Sequence, residues 1–152
     1  MTDTHVETNA VALLKADHVK VLGLFKQFES SNSSDQKKDL VSDICDELAI
    51  HTQLEEEIFY PAFKAAHHDK LLIPEATVEH DTIKNLISQI QGVDPVGEIY
   101  HARVKVLFEY VKHHVQEEHN DMFTDEKTAP LDLDELGMLM IERKADLIAE
   151  RD

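Results

Sequence analysis

Two segments far apart in this chain, His51-Thr-Gln-Leu-Glu55 and His114-Val-Gln-Glu-Glu118, share the pattern His-x-x-x-Glu inside apolar stretches of helical period. Residues four apart on a helix stand one above the other, about 6 Å apart. Each segment therefore offers one imidazole and one carboxylate from the face that packs inward. A carboxylate is too costly to bury without a partner. A fold that buries both must bring something cationic to them, and a metal ion is the economical answer.

The 152 residues are enough for one domain with a sizeable core. With only 4 Gly and 4 Pro, the chain has little turn chemistry for a sheet protein, and its Leu, Ala, Glu and Lys favour helix. The first amphipathic stretch runs from about Asn9 to Glu29, with Val11, Leu14, His18, Val21 and Phe25 facing inward. After a serine-rich loop, Ser34 or Asp35 is placed to cap a second helix, which runs to Ala66 and carries Leu40, Ile44, Leu48, His51, Glu55, Ile58 and Ala62 inward. Pro61 should kink or shorten its last turn. A third helix starts near Pro74 with Ala76, His80, Ile83, Ile87 and Ile90. A fourth, from about Glu98 to Phe123, carries Val104, Phe108, Val111, His114 and Glu118. A last segment, Asp132 to Glu150, carries Leu133, Leu136, Leu139, Met140, Lys144 and Leu147.

Long helices joined by short loops predict an all-α chain: an up-down-up-down four-helix bundle over residues 9–123. The additional C-terminal helix should cap it or dock along an outer groove, all within a single domain. Every inward stripe of the bundle is broken by His, at positions 18, 51, 80 and 114, and two of these are backed by Glu55 and Glu118. At about 1.5 Å of rise per residue, the counts from the loops allow these groups to form one layer. Imidazoles with carboxylates suit iron, manganese or zinc better than calcium or magnesium. The set is too large for one tetrahedral zinc. Two octahedral ions offer about 12 positions. Four imidazoles, two bridging carboxylates and a bridging oxide or hydroxide leave about two of them open for a small molecule such as O2, NO or peroxide.

Asp17-His18, HTQLEEEIFYP (residues 51–61), Glu79-His80 and HHVQEEHNDMF (residues 113–123) together resemble hemerythrin-like proteins of the HHE cation-binding class. The resemblance implies a bundle holding an oxo- or hydroxo-bridged pair of iron ions. His18, His51, His80 and His114 would be terminal ligands, and Glu55 and Glu118 would bridge. It implies binding of O2 or a related small molecule for carriage, storage or sensing; alternatives are peroxide or NO detoxification, or iron handling. Oxygen-carrying members have a fifth His one turn before the residue matching His80, where this chain has Ala76. That departure favours sensing or redox chemistry over carriage.

Other polar candidates read as less specific. His113, with Glu117 four residues on, rivals His114, but the stripe through Val111 selects His114. His101 lies too far along the helix and should end the core; His119 could support a ligand from behind. Asp17 and Asp81 adjoin ligand candidates, although neighbours on a helix point about 100° apart. Glu56 and Glu57 should form a wet face, and Tyr60 and Tyr110 should pack with wet hydroxyls. Cys45 should be an inert core thiol. A ferritin-like oxidase would need two Glu-x-x-His motifs, and the chain has only Glu98-Ile-Tyr-His101.

The formal net charge of −16 disfavours nucleic acid and anionic membranes as partners. The sequence shows no basic-then-apolar leader and no bilayer-length apolar run, and a single Cys fits a reducing compartment, so a cytoplasmic location is expected.

Overall fold

A computed structural model describes residues 7–67 and 71–151. Seven α-helices follow in order: α1 (Ala10–Ser30), α2 (Ser34–Leu54), α3 (Tyr60–Ala66), α4 (Leu72–Gln91), α5 (Gly97–Asp121), α6 (Asp125–Thr128) and α7 (Leu133–Arg151). A π-helical turn, Glu55–Phe59, joins α2 to α3, so that these two helices and the turn form one continuous rod. The four rods of the bundle pack in a ring: α1 on α2, α2 on α4, α4 on α5 and α5 on α1. Helix α7 lies in the outer groove between α1 and α2, the docked arrangement of the two expected.

Local chemistry fixes the ends of these rods. The Asn9 side chain accepts from the Ala12 N–H at 3.1 Å and caps α1. Ser33, rather than Ser34 or Asp35, caps α2 by accepting from Gln36 at 3.2 Å. Both satisfy N–H groups that the first helical turn leaves open. Pro74 sits in the first turn of α4, where its missing N–H costs nothing.

The second rod departs from simple helical counting. Ile58 and Ala62, expected inward, are only partly buried, while Phe59 and Phe63 are 0% and 1% exposed. The cause is the π turn. The Tyr60 N–H donates to Glu55, five residues back, and the extra residue advances the inward face by one position. Pro61, which cannot donate its own backbone hydrogen bond, follows immediately. In α7, Leu139 is 47% exposed because it lies one position off the stripe formed by Leu133, Leu136, Met140 and Leu147.

Two apolar clusters fill the interior. One includes Val21, Leu48, Ile83 and Val111, with the Phe25 and Phe108 rings stacked 4.7 Å apart. The other includes Leu14, Phe59, Ala76 and Met122. On every rod the polar residues fall between members of the two clusters: His18 between Leu14 and Val21, and His80 between Ala76 and Ile83. Burial on both sides seals the polar layer from water and fixes its height.

Candidate metal centre

His18 on α1, His51 at the end of α2, Glu55 at the start of the π turn, His80 on α4, and His114 and Glu118 on α5 are all at most 6% exposed. Their side chains converge. The Nε2 atoms of His18 and His51 face each other at 3.0 Å, and those of His80 and His114 at 3.1 Å. Glu55 Oε1 lies 3.2 Å from Nε2 of both His51 and His80. Glu118 Oε1 lies 3.3 Å from Nε2 of both His18 and His114. Each carboxylate thus spans from one imidazole pair to the other.

Three of the four rings are hydrogen-bonded from behind, and His80 Nδ1 faces a carboxylate without a hydrogen bond. His51 Nδ1 donates to Asp17 at 3.1 Å and His114 Nδ1 to Glu79 at 2.7 Å. His18 Nδ1 faces His119 Nε2 at 3.0 Å, and His80 Nδ1 faces Glu56 at 3.4 Å. A ring that donates from Nδ1 leaves a lone pair on Nε2. Two lone pairs facing at this distance repel unless a cation lies between them. Donors held about 2.1 Å from one ion at right angles are about 3.0 Å apart, the spacing seen within each pair. Both oxygens of Glu55 and Glu118 Oε1 are buried and make no hydrogen bond among the described residues. The donor set, its spacing and these orphaned oxygens all fit metal ions.

The charges within the protein point the same way. Burial pushes His51 down, but the charge of Glu55 and the hydrogen bond to Asp17 outweigh it and lift the imidazole to about 10. His114 is likewise opposed by burial and raised to about 12 through Glu118, Glu55 and Glu79. Burial favours the neutral form of Glu55, yet His51 holds its carboxyl well below the usual range. The carboxylates demand positive charge, from protons on these rings or from an ion.

Several supporting residues differ from expectation. Asp17 is no departure: it serves the ring of His51 on the neighbouring helix and not that of adjacent His18, because neighbours on one helix diverge. Asp81 is exposed, and it is Glu79, also on α4, that supports the His114 ring on α5. Glu56 is partly buried against His80 rather than wet, whereas Glu57 is exposed and pairs with Arg143 at 2.9 Å. Tyr60 is the largest correction. Its hydroxyl is buried, donates to Glu118 Oε2 at 2.8 Å, and lies 3.1 Å from His80 Nε2 and 3.4 Å from His114 Nε2. Burial and the charges of Glu55 and Glu118 hold this phenol well above its usual value. Tyr60 belongs to the same buried cluster as Ala76, on the side where the fifth His is missing. The π turn brings it inward, and simple helical counting could not reveal that shift. His101 is exposed rather than ending the core, and its Nδ1 donates to the Gly97 carbonyl at 2.9 Å. His113 is exposed and pairs with Glu117 at 3.0 Å, and Tyr110 is 43% exposed. His5 and His68 lie outside the described residues.

The bundle and its buried layer of imidazoles and carboxylates define a helical metal-binding protein. The hemerythrin HHE cation binding domain matches residues 9–125, and the chain belongs to that family. A crystal structure of a hemerythrin HHE cation binding domain-containing protein from Mycobacterium kansasii superposes with a TM-score of 0.78 at 27% identity, covering 95% of this chain and 90% of that one. A protein of Nostoc sp. named DNA nickase is 27% identical over 117 residues, 77% of this chain. The match spans 33% of that relative's length, and its name describes the longer protein. Among the described residues no helix is long and apolar enough to cross a membrane.

Proposed function

We propose that this chain holds two iron ions and binds O2 or a related small molecule for oxygen binding, storage or sensing. In this reading His18 and His51 hold one ion, His80 and His114 hold the other, and Glu55 and Glu118 bridge them. The observation that supports it best is the reciprocal reach of the two carboxylates, each touching one imidazole of either pair. The donor set and the family favour iron over manganese. Bound iron would supply exchangeable electrons and open coordination positions.

The chain's own groups would do the rest. Asp17, Glu79, Glu56 and His119 orient the rings from behind. The two apolar clusters exclude water from the layer. A void of about 10 Å³ borders His18, His51 and His114 among Val21, Leu48 and Ile83. It has room for at most about one water-sized molecule and excludes bulky substrates.

A second reading, removal of peroxide or NO, is favoured by Tyr60. Its hydroxyl stays protonated and places a hydrogen-bond donor beside the imidazole nitrogens, where it would orient bound peroxide or NO. Metal analysis with an optical spectrum of aerobically purified protein tests the centre itself. Two irons per chain with near-ultraviolet charge-transfer bands support it; colourless protein without metal overturns it. Reversible bleaching on cycling air and vacuum supports binding, and sustained gas evolution from added peroxide supports the enzymatic reading.

A further inference from the structure

Helix α7 lies outside the stretch matched by the family, which ends at residue 125. It nevertheless reaches the metal layer. Lys144 Nζ lies 3.3 Å from Asp17 Oδ1, and Asp17 Oδ2 accepts from His51 Nδ1 at 3.1 Å. Lys144, Asp17 and His51 thus form a line from α7, through the outer face of α1, to a ring whose Nε2 faces into the centre. The pair is partly exposed: the Asp17 side chain is 16% exposed and that of Lys144 37%.

We propose that Lys144 is a positioning residue that tunes the donor strength of His51 through Asp17. The proposal rests on the reading that His51 holds an ion. A carboxylate accepting from Nδ1–H draws the ring toward imidazolate and makes Nε2 a stronger donor. The ammonium shares that negative charge and weakens the pull. His80 has only a looser counterpart among the bundle's own helices: Glu56 faces Nδ1 at 3.4 Å without a hydrogen bond, and the half-exposed Lys84 lies 2.8 Å from Glu56. Glu79, which backs His114, faces His113 and no lysine among the contacts described. What sets the His51 line apart is that its cation comes from a helix packed on the outside of the bundle. The docking of α7 therefore adjusts one ion position and leaves the other unchanged.

The sign of the effect separates this role from simple support. Loss of Lys144 should make His51 a stronger donor and hold the ion more tightly, whereas a loosened fold would release it faster. The experiment follows ion release from the iron-loaded full chain, reduced with dithionite under anaerobic conditions, to a coloured ferrous chelator, after metal content has been measured. Lys144→Met should release iron more slowly, by a factor between about two and five, the scale of a partly exposed ion pair. Its reduction potential should move in the negative direction, and Lys144→Arg should match the wild type in both. Asp17→Asn should release iron faster, and adding Lys144→Met in that background should have little further effect. Unchanged or faster release in Lys144→Met overturns the proposal, as does an effect that persists undiminished in the Asp17→Asn background. A wild-type chain without bound iron would fail earlier, at metal content, and would count against the di-iron reading itself.

Discussion

Tyr60 donates its hydroxyl proton to Glu118 across 2.8 Å of buried space, tying the first residue after the π turn to a carboxylate on α5. Among the described residues Glu118 Oε1 has no hydrogen-bond partner, so this phenol fixes the carboxylate through its other oxygen. Removing the hydroxyl frees the carboxylate to rotate away from His18 and His114. Tyr60→Phe should keep the fold, because the ring still fills its place in the apolar cluster. It should lose about 10- to 100-fold in metal affinity, the usual scale for a partner that orients a ligand. Dialysis against graded chelator with metal analysis measures this, and equal retention in both proteins would show that the hydroxyl does not orient Glu118.

The six converging residues and the exposed His113 make a direct contrast. His51→Ala and Glu118→Ala should each abolish loading of two ions, because each removes one of the six converging donors from the buried layer. His113→Ala should load normally, since its ring faces solvent beside Glu117. Metal per chain after reconstitution reads all three; normal loading in Glu118→Ala would remove the bridging assignment.

The inward stripes of α1, α4 and α5 were legible because their helices are regular, and a count of three and four carries from Leu14 to His18 and Val21, or from Ala76 to His80 and Ile83. The second rod was legible only as far as Glu55. Beyond it the π turn inserts a residue, a backbone event that side-chain periodicity does not encode, so Ile58 and Ala62 gave way to Phe59, Tyr60 and Phe63. The rear partners were legible as residue types but not as contacts. Asp17 adjoins His18 in sequence and serves His51 in space, because neighbours on one helix diverge while facing helices converge. The role of Lys144 was invisible for the same reason: it depends on how α7 docks.

In the metal-free protein His51 is raised to about 10 from an ordinary 6.5. A group raised in the folded state stabilises the fold fully below its unfolded value and ceases to do so as the pH rises through its folded value. The melting temperature of the metal-free protein should therefore fall as the pH climbs from about 6.5 to about 10. The loaded protein should not share this decline, because its ions supply the charge that those protons supplied. The same competition makes metal uptake release protons and weaken as the pH falls. Melting curves of the two forms across this range test the first point, and loading in weakly buffered solution tests the second.

Cys45 is 1% exposed, and burial, aided by Asp46, pushes its thiol up to about 11. The thiolate is the reactive form, so the native protein should resist a disulfide exchange reagent near neutral pH and react fully once unfolded. A fast reaction of the native protein would show that the α2 face carrying Cys45 opens readily.

Gly137 and Gly23 both lie within helices, where Ala is ordinarily favoured by about 1 kcal/mol. Gly23 follows this rule: a Cβ there meets nothing within 4 Å, so Gly23→Ala should raise the melting temperature. Gly137 should reverse it. A Cβ there would overlap the Thr8 carbonyl and press on the Ala10 backbone N, atoms that cannot rotate aside as a side chain can. Helix α7 crosses the start of α1 at this point, and Asp134, one turn earlier, accepts from the Thr8 hydroxyl at 3.1 Å. Gly137→Ala must displace either the chain entering α1 or α7 itself, at a cost on the order of 1–3 kcal/mol. It should lower the melting temperature and, by shifting α7, disturb the pairing of Lys144 with Asp17. Thermal melts of the two variants side by side check the sign, and equal stabilisation by both would show that α7 does not pack this closely on the start of α1.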